Sequence, residues 1–210
     1  MASWMHWKYL QKMNNHELLG KVSDTLFYFH KNRIPGIEEF VESFRPNQIN
    51  SKTWLVDELA TTKTSFDKVL VVGSWNSVLL YELMNQECDV SWFHFLDNNP
   101  LVHKHRDIYF KYNKMDLNYD SIIEDATNFS DFEKYDLIIN TSCEHMKPLP
   151  TVYGPLYALQ SNNYTSIKEH INCVNSTNEL KEQYKITQTS YVGTKAFDNY
   201  KRFMVIGSHW

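Results

Sequence analysis

A single glycine, Gly73, stands where the sequence is most typical of a ligand-binding turn. It follows four consecutive aliphatic residues, Val69–Val72, so the backbone can turn sharply beneath a ligand at the point where a buried strand ends. The helix after it would direct free N–H groups and a partial positive charge into the same crevice, past Ser74, Trp75 and Asn76. Because the loop lacks both G-x-G-x-x-G and the lysine of a P-loop, an ordinary strand-to-helix turn is the alternative.

A carboxylate at the end of the second predicted strand, Asp97, stands where nucleotide-binding sheets hold a ribose. A carboxylate accepts hydrogen bonds from both hydroxyls of a cis-diol, and Asn98 follows it directly. The alternative is a helix cap, because Asp and Asn are favoured immediately before a helix. Asp125 and Ala126 follow a weak third strand, where Asp125 either accepts from an exocyclic adenine amine or is a solvated loop carboxylate.

The loop after the fourth predicted strand carries groups that could move a proton. Glu144 and His145 are candidates for a general base, since ligands of open α/β sheets bind beyond the carboxyl ends of the strands. Cys143 is a weaker candidate for a nucleophile, because no base is paired with it locally. The residues of this loop that we assign to the cofactor side are Asn140, Thr141 and Ser142. The alternative is a polar loop that caps a helix and has no chemistry.

Amide side chains and a phenol follow the fifth predicted strand and could orient a second substrate. Asn162 and Asn163 can hydrogen-bond a planar molecule and Tyr164 can stack on it, whereas a plain Asn-rich turn is the alternative. His170 could join the same rim. Lys52 is assigned to this acceptor side as well, from a turn at residues 50–52 that we expect to be exposed because both of its flanks are polar.

The histidines are numerous but do not predict a metal site. His103 and His105 lie two positions apart, so they cannot share one face of a helix, and surface positions are the simpler interpretation. The same interpretation applies to His94, His145 and His170. A basic run predicts a solvated helix face, and its members are Lys104, His105, Arg106, Lys111 and Lys114. We therefore expect no bound metal.

These candidates need a sheet that brings the ends of its strands to one edge, and the hydrophobic pattern predicts one. Parallel strands are expected at residues 68–73, 90–96, 120–124, 135–140 and 155–160, with helices at 77–85 and 101–112. Two β-rich runs, 186–194 and 200–208, are separated by a polar stretch and predict a hairpin. The expected fold class is α/β, a doubly wound, mostly parallel sheet with an antiparallel C-terminal hairpin, preceded by N-terminal helices.

Residues 1–64 are expected to form a helical cap, and residues 65–210 a Rossmann-like cofactor-binding domain. Apolar residues recur at helical spacing up to Phe29, and Pro35-Gly36 interrupts the pattern. A short helix is expected to stop at Pro46, and Ser51 to cap a third helix. Since these helices precede the first strand and have no partner of their own, we predict that they fold over the crevice as a lid.

Composition excludes several classes of protein. A net charge of −4 over 210 residues gives no global attraction for nucleic acid. Three scattered cysteines, Cys88, Cys143 and Cys173, argue against a disulfide framework and favour a reducing compartment. Residues 1–10 lack the apolar run of a signal peptide, and no stretch reaches the ~18 apolar residues of a membrane span. We expect a cytoplasmic protein with no membrane partner, and a nucleic-acid partner is not indicated.

Over residues 68–208 the sequence resembles the class I S-adenosylmethionine-dependent methyltransferases. Residues 69–74 are similar to the first motif of that family, Asp97 to its ribose-binding acid, and Asp125-Ala126 to its adenine-contacting position. Residues 136–140 resemble its fourth-strand motif. The closing hairpin is similar to the antiparallel strand pair that separates these enzymes from dehydrogenases.

The resemblance implies S-adenosylmethionine as the cofactor and methyl transfer to a small-molecule or other acceptor that the sequence does not identify. We assign catalysis to Glu144, His145 and Tyr164. Trp75 replaces the second glycine of the family's G-x-G, which leaves two alternatives open. One is another enzyme on the same cofactor, which moves its aminocarboxypropyl group or cleaves it, and the other is a non-catalytic binding module. No Asn-Pro-Pro-Tyr-type tetrad follows the fourth strand, so methylation of nucleic-acid bases is not implied.

Overall fold

The computed structural model describes residues 16–210. Residues 1–15 lie outside the described residues, and with them part of the predicted helical cap and the segment considered as a signal peptide. The first helix, α1, spans His16–Lys31. Its side chains Leu18, Val22 and Phe29 recur on one face and are all buried, so the helical spacing read from the sequence is confirmed here.

The two helices that follow begin at residues suited to a helix start. Helix α2 (Ile37–Glu42) begins after Gly36, whose φ of 72° lies in the left-handed region. Helix α3 (Pro46–Thr62) begins with a proline. The first residue of a helix donates no intrahelical hydrogen bond, so the missing N–H of proline costs nothing there. Pro46 therefore opens a helix as well as ending the segment before it.

The predicted helix cap at Ser51 and the exposed turn at residues 50–52 were both wrong. Because α3 already begins at Pro46, these residues lie inside the helix and on its inward face. Ser51 is 1% exposed and Lys52 is 7% exposed. Polar flanks had indicated exposure, but here polar side chains are buried against other polar groups.

Seven strands of the described residues form one sheet. They are β1 (Ser65–Val72), β2 (Asp89–Asp97), β3 (Tyr119–Ile123), β4 (Leu137–Asn140), β5 (Leu156–Asn162), β6 (Gln188–Phe197) and β7 (Tyr200–Ser208). Their spatial order is β3-β2-β1-β4-β5-β7-β6. Strands β1 to β5 are parallel, and β7 is antiparallel to both β5 and β6. The predicted α/β class, with a mostly parallel sheet and an antiparallel C-terminal hairpin, is confirmed.

The strand order reverses between β1 and β4, and this reversal creates a crevice. Val72 at the end of β1 pairs with Leu96 of β2 on one side and with Asn140 of β4 on the other. The loops after these three strands therefore open at one edge of the sheet, where ligands bind in doubly wound folds. The sequence candidates Gly73, Asp97 and Asn140 all stand at this edge.

The hairpin closes more tightly than the sequence indicated. The polar residues 195–199 were expected to separate the two runs, yet β6 continues to Phe197 and pairs with Tyr200. Their rings stack with centroids 5.0 Å apart. Strand β5 is also longer than predicted, because Ser161 and Asn162 pair with Phe203 and Arg202 of β7.

Three further α-helices belong to the described fold: α4 (Val78–Glu87), α5 (Pro100–Tyr112) and α6 (Thr177–Gln183). Helix α5 is capped by Asn99, whose side chain accepts from the backbone N–H of Leu101. Helix α6 is capped by Ser176, which accepts from the N–H of Glu179. No element had been predicted at α6, because its short and mostly polar sequence has no apolar period.

The surface interpretation was wrong for His105 and Arg106 of the basic run and for the neighbouring His103. His103, His105 and Arg106 are all buried, because α5 packs against α1 and α2 on one side and β2 and β3 on the other. Nε2 of His105 donates to the carbonyl of Pro35 at 2.7 Å. The guanidinium of Arg106 lies 4.2 Å from the ring centroid of Phe95.

Helix α3 forms one wall of the crevice. It packs against α4, β6 and β7, and Nε1 of Trp54 donates to the hydroxyl of Tyr191 at 3.0 Å. Leu55 and Leu59 of α3 share a continuous hydrophobic cluster with Val69 of β1. The helices at residues 16–62 are thus packed on the same core as the sheet. None of the helices in this described part of the chain is both long and apolar enough to cross a membrane.

Candidate functional site

The loop after β1 holds backbone conformations that few residues adopt easily. Gly73 has a φ of 57°, and Trp75 and Ser77 have φ values of 49° and 51° although both carry side chains. A methyl group on Gly73 would lie 2.7 Å from Cε of Met146, so the end of the Met146 side chain would have to shift. Left-handed conformations at residues other than glycine are costly, and they cluster at functional sites.

Asp97 holds this loop with its carboxylate. Oδ2 accepts from the N–H of Trp75 at 2.8 Å, and Oδ1 accepts from the N–H of Asn99 at 3.0 Å. The cap of α5 is Asn99 and not Asp97, since Oδ1 of Asn99 accepts from the N–H of Leu101. Each oxygen of Asp97 keeps a further lone pair, and the side chain is only partly buried. The carboxylate can therefore still accept from a ligand.

A cavity of about 480 Å³ extends from Asp97 over the ends of β2 and β3. The predicted ribose and adenine residues that line it are Asp97, Asn98, Asp125 and Ala126, together with Gly73. Asp125 also closes its own turn, because it accepts from the N–H and the hydroxyl of Thr127 at 2.8 and 2.7 Å. These bonds lower the pKa of Asp125 and keep it ionised.

A smaller polar cavity of about 80 Å³ lies between α3 and the loop after β1. The sequence candidates in its lining are Lys52, Gly73, Ser74, Trp75, Asn76, Thr141, Ser142, Glu144 and His145. Nζ of Lys52 donates to Oε1 of Gln48 at 2.5 Å. Burial, reinforced by the positive charge of Arg202, lowers the pKa of Lys52 to about 7. An amine that titrates near neutral pH can either attract an anion or lose its proton.

A third cavity, of about 550 Å³, lies beyond Gly73 on the side of β5 and β7. The predicted acceptor-side residues that line it are Glu144, His145, Asn162, Tyr164 and His170, and the cofactor-side candidates that also reach it are Gly73, Trp75 and Ser142. Gly73 and His145 belong to the lining of all three cavities, so these two residues mark the point where the cavities adjoin. The predicted ribose and adenine residues lie at one end of this crevice, and the predicted acceptor residues Asn162 and Tyr164 lie at the other. Lys52, which was predicted on the acceptor side, instead lines the small cavity together with the predicted cofactor residues Ser74 and Asn76.

A buried polar network joins the walls of this crevice. Arg202 of β7 donates from Nη2 to Oε1 of Glu144 at 3.1 Å and from Nη1 to Oγ of Ser51 at 3.1 Å. The amide of Asn162 donates to the same Oε1 of Glu144. Oγ of Ser51 in turn donates to Oε1 of Gln160 at 2.7 Å. Helix α3, strands β5 and β7 and the loop after β4 are therefore held by one set of paired groups.

In the loop after β4, burial shifts the pKa values of His145 and Cys143 in opposite directions. Burial lowers the pKa of His145, so its imidazole is neutral at pH 7 and has a free lone pair. Burial raises the pKa of Cys143 to about 12, and its Sγ donates to the carbonyl of Asn140 at 3.4 Å. A fully buried, protonated thiol is not a nucleophile.

Two predicted site residues shape the crevice without lining these cavities. Asn140 accepts from the N–H of Ser142 at 2.9 Å, and its Nδ2 donates to Sδ of Met146 at 3.3 Å. Oδ1 of Asn163 accepts from the N–H of Lys201 at 2.8 Å, which ties the end of β5 to the start of β7. Both amides fix the loops that carry other candidates.

The sequence did not reveal Arg202 or Gln48. Arg202 follows Lys201 and stands directly before the apolar run Phe203–Ile206, and a charge next to a buried run was the available signal. Gln48 gave no such signal, because it lies in a polar first turn of α3 and reaches the site only through the fold. His170 had been considered only as a rim residue.

Solved structures share this fold, although the sequence alone identifies no relative. No family model matches the sequence, and no curated protein matches it. The N-methyltransferase NodS from Bradyrhizobium japonicum WM9 is similar with a TM-score of 0.60 and 11% identity, over 80% of this chain and 98% of NodS. NodS in complex with S-adenosyl-L-homocysteine gives a TM-score of 0.59 at 10% identity, over 77% of this chain and 88% of that one.

The S-adenosylmethionine-dependent methyltransferase SibL in its apo form gives a TM-score of 0.57 at 14% identity, over 85% of this chain and 60% of SibL. At such low identities the likeness establishes the architecture alone. The chain has the fold of the class I S-adenosylmethionine-dependent methyltransferases.

Proposed function

We propose that this protein binds S-adenosylmethionine along the crevice and transfers its methyl group to an acceptor in the 550 Å³ cavity. The observation that supports the proposal most is the meeting of three cavities at Gly73 and His145. A carboxylate suited to a ribose lies at one end of this crevice, and a group of hydrogen-bonding side chains lies at the other. The fold, shared with a methyltransferase solved with S-adenosyl-L-homocysteine, agrees with this reading.

The adenosine part of the cofactor suits the cavity beside Asp97. The two oxygens of Asp97 have lone pairs left for the ribose hydroxyls, and Asn98 lines the same cavity. Asp125 and Ala126 lie where an adenine ring would extend beyond the ribose. We therefore place the ribose on Asp97 and the base beside Asp125.

The methionine part of the cofactor suits the small cavity between Gly73 and α3. Gly73 lines both this cavity and the cavity beside Asp97, so a ligand can pass its backbone from one to the other. Lys52 and Arg202 line that cavity and supply positive charge, which complements the α-carboxylate of an amino acid. An anion there would raise the pKa of Lys52 from about 7 and keep the amine protonated.

The reaction asks these residues mainly for alignment. When bound, S-adenosylmethionine supplies a methyl group that its sulfonium has already activated. Glu144, His145 and Tyr164 line the acceptor cavity, where they would orient the acceptor and remove its proton. A small molecule fits the 550 Å³ volume, which lies within the usual range for ligand pockets.

Calorimetric titration tests the cofactor assignment. We expect S-adenosylhomocysteine and S-adenosylmethionine to bind at one site per chain and to raise the melting temperature, since a ligand of the folded state stabilises it. NAD is the control and should give no signal. Binding of NAD without binding of either S-adenosyl compound would contradict the proposal.

Product analysis by mass separates the possible reactions on this cofactor. Transfer of a methyl group leaves S-adenosylhomocysteine, whereas transfer of the aminocarboxypropyl group leaves methylthioadenosine. A bound cofactor with neither product in the presence of candidate acceptors would favour a non-catalytic binding module. We further propose a cytoplasmic location, which the free thiols of Cys88, Cys143 and Cys173 support.

A further inference from the structure

Three side chains of metal-ligating type converge at the acceptor end of the crevice. One nitrogen or oxygen atom each from Glu144, His145 and His170 lies within 4.8 Å of the other two. The rings of the two histidines are perpendicular, with centroids 4.5 Å apart. All three residues line the 550 Å³ cavity. Ligands of one ion with bonds near 2.1 Å stand about 3–4 Å apart, so small side-chain rotations would close this cluster around a cation.

One of the two imidazoles is already oriented by a backbone carbonyl. Nδ1 of His170 lies 2.6 Å from the carbonyl oxygen of Tyr164. A carbonyl oxygen only accepts, so Nδ1 of His170 carries the proton and Nε2 keeps its lone pair. Histidines that bind metals in proteins are held in this same way, by a partner on the second nitrogen.

The carboxylate of Glu144 has one satisfied and one unsatisfied oxygen. Oε1 accepts from Arg202 and from Asn162. Oε2 is buried and has no hydrogen-bond partner among residues 16–210. A buried carboxylate oxygen without a donor carries a desolvation cost that a bound cation would offset. The negative charge of Glu144 partly offsets the positive charges of Arg202 and Lys52 beside it.

We propose that Glu144, His145 and His170 bind one divalent transition-metal cation, with its remaining coordination positions open to the 550 Å³ cavity. Two imidazole nitrogens and one carboxylate oxygen suit Zn²⁺, Fe²⁺, Co²⁺ or Mn²⁺ better than Ca²⁺ or Mg²⁺. Three protein ligands leave room for exogenous ones, as in catalytic sites and unlike closed structural sites.

The cation would select an acceptor that binds through oxygen, and this role rests on the proposed methyl transfer. A hydroxyl group beside a second oxygen donor, as in a diol or a hydroxy acid, could occupy two open positions. The metal lowers the pKa of the bound hydroxyl, which releases its proton to solvent. The oxygen then forms a bond to the methyl carbon as the sulfur–methyl bond breaks. The products are a methyl ether, S-adenosylhomocysteine and one proton.

Titration of the metal-free protein with Co²⁺ tests the site through its visible absorption. We expect one Co²⁺ per chain, with ligand-field bands but no intense thiolate charge-transfer band, since no cysteine is a ligand. His145→Ala and His170→Ala should each weaken binding at least about tenfold. His30→Ala removes an exposed histidine of α1 and should leave the affinity unchanged. Zn²⁺ should displace the bound Co²⁺.

Failure of the wild-type protein to bind one equivalent of Co²⁺ would overturn the proposal without any variant. Equal affinity of His170→Ala and wild type would also overturn it, and His170→Gln provides a second variant if alanine impairs folding. Binding of S-adenosylhomocysteine is measured on the same samples. Metal binding without S-adenosylhomocysteine binding would support the metal site and contradict the proposed function, and the opposite result would reject the metal site alone.

Discussion

Arg202 in β7 and Glu144 in the loop after β4 form a buried ion pair, with Nη2 of Arg202 3.1 Å from Oε1 of Glu144. Both side chains are almost completely shielded from water, at 7% and 2% exposure. Arg202 also reaches Ser51 of α3 and the carbonyl of Thr141. One arginine thus connects the N-terminal helices, the closing hairpin and the loop that carries the proposed acceptor residues.

Replacing Arg202 with methionine should destabilise the fold by about 3–5 kcal/mol, because it leaves the charge of Glu144 buried without its partner. Urea denaturation of the ligand-free protein measures this loss. The double variant Arg202→Met/Glu144→Gln should recover part of it, since no unpaired charge is left. The matched control is Lys201→Met, an exposed neighbour, which should change stability by less than about 0.5 kcal/mol. Equal effects of the Arg202 and Lys201 substitutions would contradict the importance of the pair.

Asp97→Ala should weaken S-adenosylhomocysteine binding by about 1.5–3 kcal/mol, because a charged acceptor of two ribose hydroxyls is lost. It should also reduce stability, since the N–H groups of Trp75 and Asn99 lose their acceptor. Asn99→Ala is the control, because it removes the cap of α5 at a cost of about 1 kcal/mol of stability and should leave affinity unchanged. Calorimetry and urea denaturation on both variants separate the two effects. An Asp97→Ala variant with wild-type affinity would show that Asp97 only supports the loop.

Lys52→Met should change how stability depends on pH. The pKa of Lys52 is lowered to about 7 in the folded protein from an ordinary value of 10.5, so between these values the unfolded chain binds the proton and the folded chain does not. Stability of the wild type should therefore rise with pH across this window, by up to about 1.4 kcal/mol per pH unit. The variant lacks this contribution. Its free energy of unfolding, taken relative to that of the wild type, should therefore fall from pH 7 towards pH 10.5. A constant difference across the window would mean that Lys52 is not held neutral.

Gly73→Ala should destabilise the loop after β1 for two separable reasons. Alanine at a φ of 57° costs about 1–2 kcal/mol, and its Cβ would lie 2.7 Å from Cε of Met146. In a Met146→Ala background the contact is absent, so the cost of Gly73→Ala should fall to the backbone contribution. A double-mutant cycle measured by urea denaturation gives the coupling. Purely additive effects would show that Met146 does not restrict this position.

The sequence was sufficient to predict the elements that create the crevice. Aliphatic residues on both faces of β1 indicated a central strand, so Gly73 could be placed at its end. Asp97 could be placed in the same way at the end of β2. The predicted doubly wound class implies a reversal of strand order, and the β-rich runs at the end indicated the hairpin. These features depend on local patterns, which a single sequence contains.

The buried polar groups could not be predicted, because their environment is set by contacts distant in sequence. Ser51 resembles a helix cap by type, yet it lies mid-helix and donates to Gln160. His105 resembles a surface residue until α1 and α2 cover it, and Arg106 until it packs on Phe95 of β2. His145 and His170 come together only because β4 and β5 are neighbours. Residue type predicted hydration in these cases, whereas tertiary packing determined burial.

A crystal structure of the protein with S-adenosylhomocysteine tests the central claim most directly. We expect the ribose hydroxyls within hydrogen-bond distance of Asp97, the α-carboxylate near Lys52, and the sulfur beside Gly73 facing the 550 Å³ cavity. The sulfur would then lie within reach of an acceptor held by Glu144, His145 and Tyr164. A ligand bound elsewhere, or a sulfur separated from that cavity beyond the reach of any acceptor, would contradict the account.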